Sequence, residues 1–401
     1  MIQLEAARQR ILDALPARTV ESVALTNCAG RFLAESILSP QDLPPFDNSA
    51  MDGYAVRAAD VAGAKPESPV PLRVIGRIPA GANFGDGLQA GECARLFTGS
   101  MLPRGADAVV MQEDTRTSAD RPDEVLICDG VSVGGSIRRC GEDVRRGDVI
   151  SGVGDELTPG CLALLAATGI GEVAVGRQPV VGLLATGSEL REAGQPLAPG
   201  QIYESNRTML QPLVSRAGGQ PVVFPLVPDT LSATQAALEQ ALARCDLVVT
   251  SGGVSVGEMD FVKAAFEKLG GELQFWQVAI RPGKPFVFGR LGNKFLFGLP
   301  GNPVSAFVTF LLLVRPALRR WQGAAEVGLR SHPAVLAEKS VNRGDRRHWM
   351  RVRVSAEGRV VSAGRQASHA LGSLAAANGL LELRPGEELP PGASVNVLRW
   401  D

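Results

Sequence analysis

Between Gln178 and Leu269, short apolar runs alternate with helical stretches, and this alternation narrows the possible folds more than any other feature of the chain. Val180–Ala185 is a continuous apolar strand, residues 207–217 a helical stretch, residues 220–226 a strand, and residues 230–243 a helix with Ala and Leu on one face. Residues 247–250 give another strand, which enters a glycine-containing loop and then a helix over residues 261–269. That order predicts a parallel sheet with helices on both faces and ligands at the carboxyl ends of its strands. Residues 305–320 add a further helix.

The flanks read differently. Leu4, Ala7, Ile11, Leu12 and Leu15 lie at helical spacing before Pro16 and predict an amphipathic helix. From about residue 44 to 148, short apolar runs such as 70–75, 108–112 and 124–128 alternate with Gly and Pro turns, which describes a small β-rich unit inserted into another domain. Beyond Gly323 the runs 347–354, 359–361, 379–383 and 394–398 predict a C-terminal β-barrel or sandwich. The expected architecture is multidomain α/β. It has an N-terminal linking region (1–44 and 144–177), an inserted β-rich domain (45–143), a three-layer α/β domain with a parallel sheet (178–322) and the barrel (323–401).

Composition removes several function classes. The chain has 401 residues, 45% of them hydrophobic and 21% charged, which suits several soluble cores. Its longest strongly apolar run, residues 306–314, is roughly half of the ~20 residues a transmembrane helix needs. The opening Met1-Ile2-Gln3-Leu4-Glu5 lacks the basic segment and apolar block of a signal peptide, so a cytoplasmic protein without a membrane partner is expected. A formal charge of −1 gives no global attraction to nucleic acid, and any anionic ligand must be held by local groups. The six cysteines include no C-x-x-C pair, which favours reduced thiols over a zinc knuckle or dithiol centre. All three histidines lie at 332 or later, which argues against His-driven catalysis in the middle of the chain.

The loop Ser251-Gly252-Gly253-Val254-Ser255-Val256-Gly257 runs from a strand towards a helix, where glycines let backbone N–H groups close on an anion. Glu258 and Asp260 follow at once, and carboxylates beside a phosphate site commonly hold a divalent cation. The plainer interpretation is a tight turn whose acids cap the next helix. Arg281-Pro282-Gly283-Lys284-Pro285 puts two cations on a stiff turn suited to a phosphate or oxyanion, or simply to solvent. Leu299-Pro300-Gly301-Asn302-Pro303 could be a ligand wall or merely a helix start with Asn302 as cap. Residues 44–56 are polar at their centre around Asp47, Asn48 and Asp52, and turn formation explains Asp52 less well than its neighbours. Residues 138–143 pair two arginines with two acids, as a surface ion-pair network would.

Taken in order, residues 45–56, 98–99, 137–143, 184–190, 202–206, 251–260, 282–285 and 299–306 resemble segments of the MoeA family of molybdopterin molybdenumtransferases, shared with the C-terminal part of gephyrin. The resemblance spans about residues 3–395. It implies insertion of molybdenum from molybdate into adenylylated molybdopterin, with Mg2+-dependent release of AMP. It also implies a homodimer working between an upstream molybdopterin adenylyltransferase and downstream cofactor-modifying or acceptor enzymes.

Carried over by position, the resemblance implies a catalytic set of Asp52, Thr98, Asp143, Asp229, Asp260 and Lys284. Glu189, Asp229 and Asp260 would be the metal-binding acids. Ser251, Gly252, Gly253, Ser255, Arg138, Arg281, Pro300 and Pro303 would contact the ligands, with Arg346 and Ser368 added from the C-terminal domain. Asp52, Thr98, Arg138 and Asp143 would serve the cleft of the partner subunit. One departure stands out: Gln277 follows Phe275-Trp276 where relatives generally have a basic residue, which removes a Coulombic pull on molybdate. Rival expectations are a molybdopterin carrier without turnover and a phosphate-ester hydrolase on a similar sheet.

Overall fold

The computed structural model describes residues 1–254 and 261–400. They fall into two compact units, one comprising Met1–Glu35, Val153–Thr158 and the chain from Glu172 onward, the other Ser36–Gly152 and Pro159–Gly171.

At the centre of the first unit is a six-stranded sheet in the order Gln220–Val223, Val180–Ala185, Leu247–Ser251, Lys294–Leu299, Pro285–Leu291, Glu272–Gln277. The first four strands are parallel. The last two are antiparallel and extend the expected parallel sheet at one edge. Side chains alternate across it. Val181, Leu183, Leu247, Val249, Phe295 and Phe297 face a core shared with the Leu4–Ala14 and Asn206–Arg216 helices, whereas Leu184, Val248, Val287 and Leu296 face the Leu231–Arg244 and Val262–Lys268 helices. The result is a three-layer α/β core. Phe275, Phe286, Phe288, Phe295 and Phe297 contact one another with ring centroids 5.2 to 6.4 Å apart, and each such buried ring contributes about 1.5–3 kcal/mol by leaving water.

The expected 305–320 helix is longer and not uniform. It starts at Pro303, where the missing N–H costs nothing in the first turn, and reaches Trp321 through a π-helical turn over Phe310–Val314. Pro316 explains the irregularity, because its ring has no N–H for the Leu312 carbonyl and clashes with it in regular α geometry.

The C-terminal barrel closes on itself. Arg347–Val354 pairs with Arg359–Ser362, which pairs with Arg330–Leu336, then Ser394–Arg399, then Gly379–Leu383, and so back to Arg347–Val354. Closure leaves no exposed edge in this ring, and Val352, Val360, Leu381 and Val397 fill its interior. Ile280–Arg281 adds a short parallel strand against Arg347 and His348.

The second unit carries its own six-stranded sheet, in the order Ala108–Met111, Gly53–Val56, Glu92–Leu96, Val70–Ile78, Arg121–Ile127, Thr115–Ser118. Tyr54 and Val56 belong to one of its cores and Ala55 to the other. A side chain at Gly53 would place Cβ 2.0 Å from the Val110 carbonyl oxygen, so the polar 47–52 turn has to end in glycine for this strand to pair. Among the described residues, no helix is long and apolar enough to cross a membrane. All six cysteines are free thiols, and burial pushes the Cys93 thiol up to about 12.

Candidate active site

Three neighbouring parallel strands of the first unit end side by side. Val180–Ala185 continues into Thr186-Gly187-Ser188-Glu189, Leu247–Ser251 into Gly252-Gly253, and Lys294–Leu299 into Pro300-Gly301-Asn302-Pro303. The ladder carries on past the strand ends, with Thr186 N–H donating to Ser251 O at 3.0 Å and Gly252 N–H to Leu299 O at 3.1 Å. Gly252 and Gly253 have φ of +89° and +66°, and a Cβ on either would lie within 3 Å of Thr186 oxygens. Only glycine lets the loop lie this close to Thr186. Because the Gly252 N–H is committed to Leu299, Gly252 provides close approach rather than a donor.

Asn206 ties the loops together. Its Nδ2 donates to Ser251 Oγ at 2.5 Å and to Gly301 O at 2.7 Å from the start of its helix. The adjacent Arg207 is buried with Glu204 at 3.1 Å and also reaches Glu192 and Phe224 O, so the helix start that presents Asn206 is fixed by charge-assisted bonds. The hydroxyls of Thr186 and Thr250 are buried with no hydrogen-bond partner among the described residues, an arrangement that suits a polar ligand.

Thr186 also bridges Val227, which brings Asp229 beside Ser188 and Glu189. Asp229 Oδ2 accepts the Ser188 N–H at 2.8 Å, and the Asp229 N–H donates back to Ser188 Oγ at 3.0 Å. A cavity of about 460 Å³ opens here along Gly187, Ser188, Arg191 and Val227. Asp229 keeps one carboxylate oxygen clear of that exchange, and Glu189 is exposed at the strand end. Hard oxygen donors of this kind fit Mg2+ better than a softer metal. The described residues alone hold no group of three potential ligands. Ser255, Glu258 and Asp260, the remaining residues expected here, lie outside the described residues.

The 281–284 turn sits against the same helix that begins at Pro303. Val278 N–H donates to Lys284 O at 3.0 Å, and a Cβ on Gly283 would meet Thr309 at 2.5 Å. Lys284 and Arg281 are both exposed, and Lys284 makes no side-chain bond among the described residues. Arg346 donates to Ile280 O at 3.0 Å, so it supports the start of this turn. Ser368 accepts the Val304 N–H at 3.1 Å and holds the other end of the wall.

Arg351 carries no signal in the sequence. This fully buried arginine donates to Ser373 Oγ and to the Arg365 and Ala367 carbonyls, and so fixes the segment that carries Ser368. His348, three residues earlier, faces burial first and then the charges of Arg281 and Arg351, which push its pKa down to about 4. The unfolded chain takes up a proton near pH 6.5 and the folded chain does not. Stability therefore falls as pH drops from about 6.5 towards 4. A His348→Gln protein is expected to show a flatter loss of thermal stability over that window, read from melting curves at pH 7.5, 6, 5 and 4; parallel acid limbs for both proteins would contradict this.

In the second unit, Asp52 Oδ1 accepts both the Thr98 N–H at 2.8 Å and the Thr98 hydroxyl at 2.9 Å, and these bonds hold its carboxyl below the usual range. Arg138 pairs with Asn48, next to Ser49, whose carbonyl accepts the Gly99 N–H. Asp52, Thr98 and Arg138 are thus gathered around one short strand. The ion pair of the 138–143 cluster runs from Arg139 to Asp47 at 2.7 Å, leaving the exposed Arg138 and Asp143 side chains without a partner among the described residues.

Comparison with known proteins agrees with this geometry. Residues 2–169 match the MoeA N-terminal region (domain I and II), residues 182–320 a probable molybdopterin binding domain, and residues 333–400 the MoeA C-terminal region (domain IV). The chain is 42% identical over 384 residues to a molybdopterin molybdenumtransferase of Haemophilus influenzae, covering 94% of this chain and 93% of that protein. It is 41% identical over 386 residues to molybdopterin molybdenumtransferase 2 of Mycobacterium tuberculosis, covering 95% and 94%. A solved molybdopterin biosynthesis MoeA protein from Pyrococcus horikoshii superimposes with a TM-score of 0.81 at 33% identity, over 100% of both chains. With three consecutive regions matched and identity above 40% along nearly its whole length, the chain belongs to the MoeA family of molybdopterin molybdenumtransferases.

Proposed function

We propose that the protein inserts molybdenum from molybdate into adenylylated molybdopterin and releases AMP, with Mg2+ as cofactor. The observation that carries this is the buried Thr186 hydroxyl, which lies against Gly252 and Gly253 on the strand end that leads into Glu189 and, like the buried Thr250 hydroxyl on the neighbouring strand, has no hydrogen-bond partner among the described residues. A pyrophosphate-linked pterin needs both kinds of group, donors for its oxygens and carboxylates for a counter-cation. Glu189, Asp229 and Asp260 would hold Mg2+, which when bound neutralises charge on the pyrophosphate. The Thr186 and Thr250 hydroxyls donate to phosphoryl oxygens, and Lys284 stabilises negative charge on the departing AMP. Arg281 attracts molybdate, and the neutral Gln277 contributes hydrogen bonding without charge. Water cleaves the pyrophosphate, so molybdopterin keeps its phosphate as AMP leaves, and the two dithiolene thiols displace a molybdate oxygen that departs as water; no side-chain nucleophile is required.

The same proposal includes a cytoplasmic homodimer in which Asp52, Thr98, Arg138 and Asp143 of a second copy complete the site. It also includes the upstream adenylyltransferase and the downstream acceptor enzymes as partners. The test is to incubate the purified chain with adenylylated molybdopterin and Mg2+, with and without molybdate. AMP release that requires molybdate is expected. Ligand binding without AMP release would instead identify a carrier, and molybdate-independent cleavage of ordinary nucleotides would identify a hydrolase.

A further inference from the structure

Two helices that begin at the strand-end site run away from it. One ends at Arg216, and the one opened by Pro303 carries Arg315 and Arg319, so about 15–25 Å separate these arginines from the strand ends at 1.5 Å per residue. There a cavity of about 800 Å³ lies between the helix, the segment around Arg330, and Arg399-Trp400. Its lining carries five guanidiniums, of Arg216, Arg315, Arg319, Arg330 and Arg399, against three carboxylates.

Some of this positive charge has an ordinary explanation. Arg216 lies in the last turn of its helix, where a cation complements the macrodipole. Arg319 bonds Glu156 at 2.9 Å and Glu326 O at 3.0 Å. Arg315 is different. It lies within the long helix and uses only Nη1, on the carbonyls of Val327 and Gly328 at 2.8 Å each, so its Nε and Nη2 make no hydrogen bond among the described residues. Burial first, and then the like charges of Arg319 and Arg330, push its pKa down to about 10, with Glu156 partly offsetting them. An anion that takes those N–H groups relieves both the desolvation and the repulsion.

We propose that this cavity is a second ligand site, which takes the phosphates of a nucleoside di- or triphosphate on Arg315, Arg319 and Arg330, with the base against Trp400. Its volume falls within the ~300–1,000 Å³ of small-molecule sites, well beyond what a lone phosphate fills. Trp400 is held edge-on against Phe307 at 5.0 Å and offers an indole for stacking, which tolerates any base. The site shares no residue with the proposed insertion chemistry.

The test follows the Trp400 indole N–H in NMR spectra, assigned by its disappearance in Trp400→Phe, during titration with ADP, pyrophosphate or adenosine. ADP is expected to shift that signal and to bind more tightly than pyrophosphate or adenosine. Arg330→Glu alters an exposed residue with no side-chain bond among the described residues and is expected to weaken ADP binding at least about tenfold, the loss typical of a charge-assisted phosphate contact. Lys284→Ala should leave the Trp400 titration unchanged, which separates this site from the strand ends. No Trp400 shift at millimolar ADP, adenosine binding as tightly as ADP, or unaltered ADP affinity in Arg330→Glu would each overturn the proposal.

Discussion

Lys284→Ala is expected to slow AMP release by about 10²–10³-fold, the range seen when a donor to developing negative charge is removed. Folding stability should stay within about 0.5 kcal/mol of wild type, because the side chain is exposed and bonds nothing among the described residues. The turn itself remains in place, held by Val278 N–H on the Lys284 carbonyl and by the contact of Gly283 with Thr309. Only the charge is lost, so the effect belongs to kcat and not to a displaced loop. Lys284→Arg keeps the charge and should retain part of the activity. A wild-type rate for Lys284→Ala at equal stability would remove Lys284 from the site.

Gly252→Ala should cost about 2–4 kcal/mol through backbone strain and overlap together. At φ +89° a non-glycine residue is strained, and its Cβ would come 2.7 Å from the Thr186 backbone oxygen, which has little room to move because the Thr186 N–H is bonded to Ser251. The loop would swing off Thr186, and insertion activity should fall with stability. Gly63→Ala is the control. Its φ is not positive and its Cβ would meet nothing within 4 Å, so its melting temperature should match wild type. Equal melting temperatures for Gly252→Ala and Gly63→Ala would show that the loop is not locked against Thr186.

The parts of this fold set by local patterns could be read directly from the sequence. The Val180–Ala185 strand, the helix capped at its start by Thr230, and the barrel strands Arg347–Val354 and Gly379–Leu383 all announce themselves in their own residues. The Pro285–Leu291 and Lys294–Leu299 hairpin is absent from the expected elements, although Gly292-Asn293 between two apolar runs is a recognised two-residue turn signal. Arg330–Leu336 was hidden by Pro333, which the barrel accepts.

The site was harder to read, because its supports join residues far apart in the chain. Asn206 reaches Ser251 and Gly301, Thr186 lies beneath Gly252, and Arg351 holds the Ser368 segment. Asn206 lies in the 202–206 segment that carries the family resemblance but shows no role there, and nothing near Arg351 marks it, since each matters only once the sheet and barrel have formed. Glycines 252 and 253, by contrast, could be picked out from their place after a strand, although the Gly252 N–H proved to serve the ladder.

The most direct measurement is a crystal structure of the protein soaked with adenylylated molybdopterin and Mg2+. The expectation is pyrophosphate density against Gly253, Thr186 and Thr250, with the cation on Glu189 and Asp229 and the Lys284 side chain turned towards the phosphates. Ligand density confined to the arginine-lined cavity near Trp400, with none at the strand ends, would contradict it.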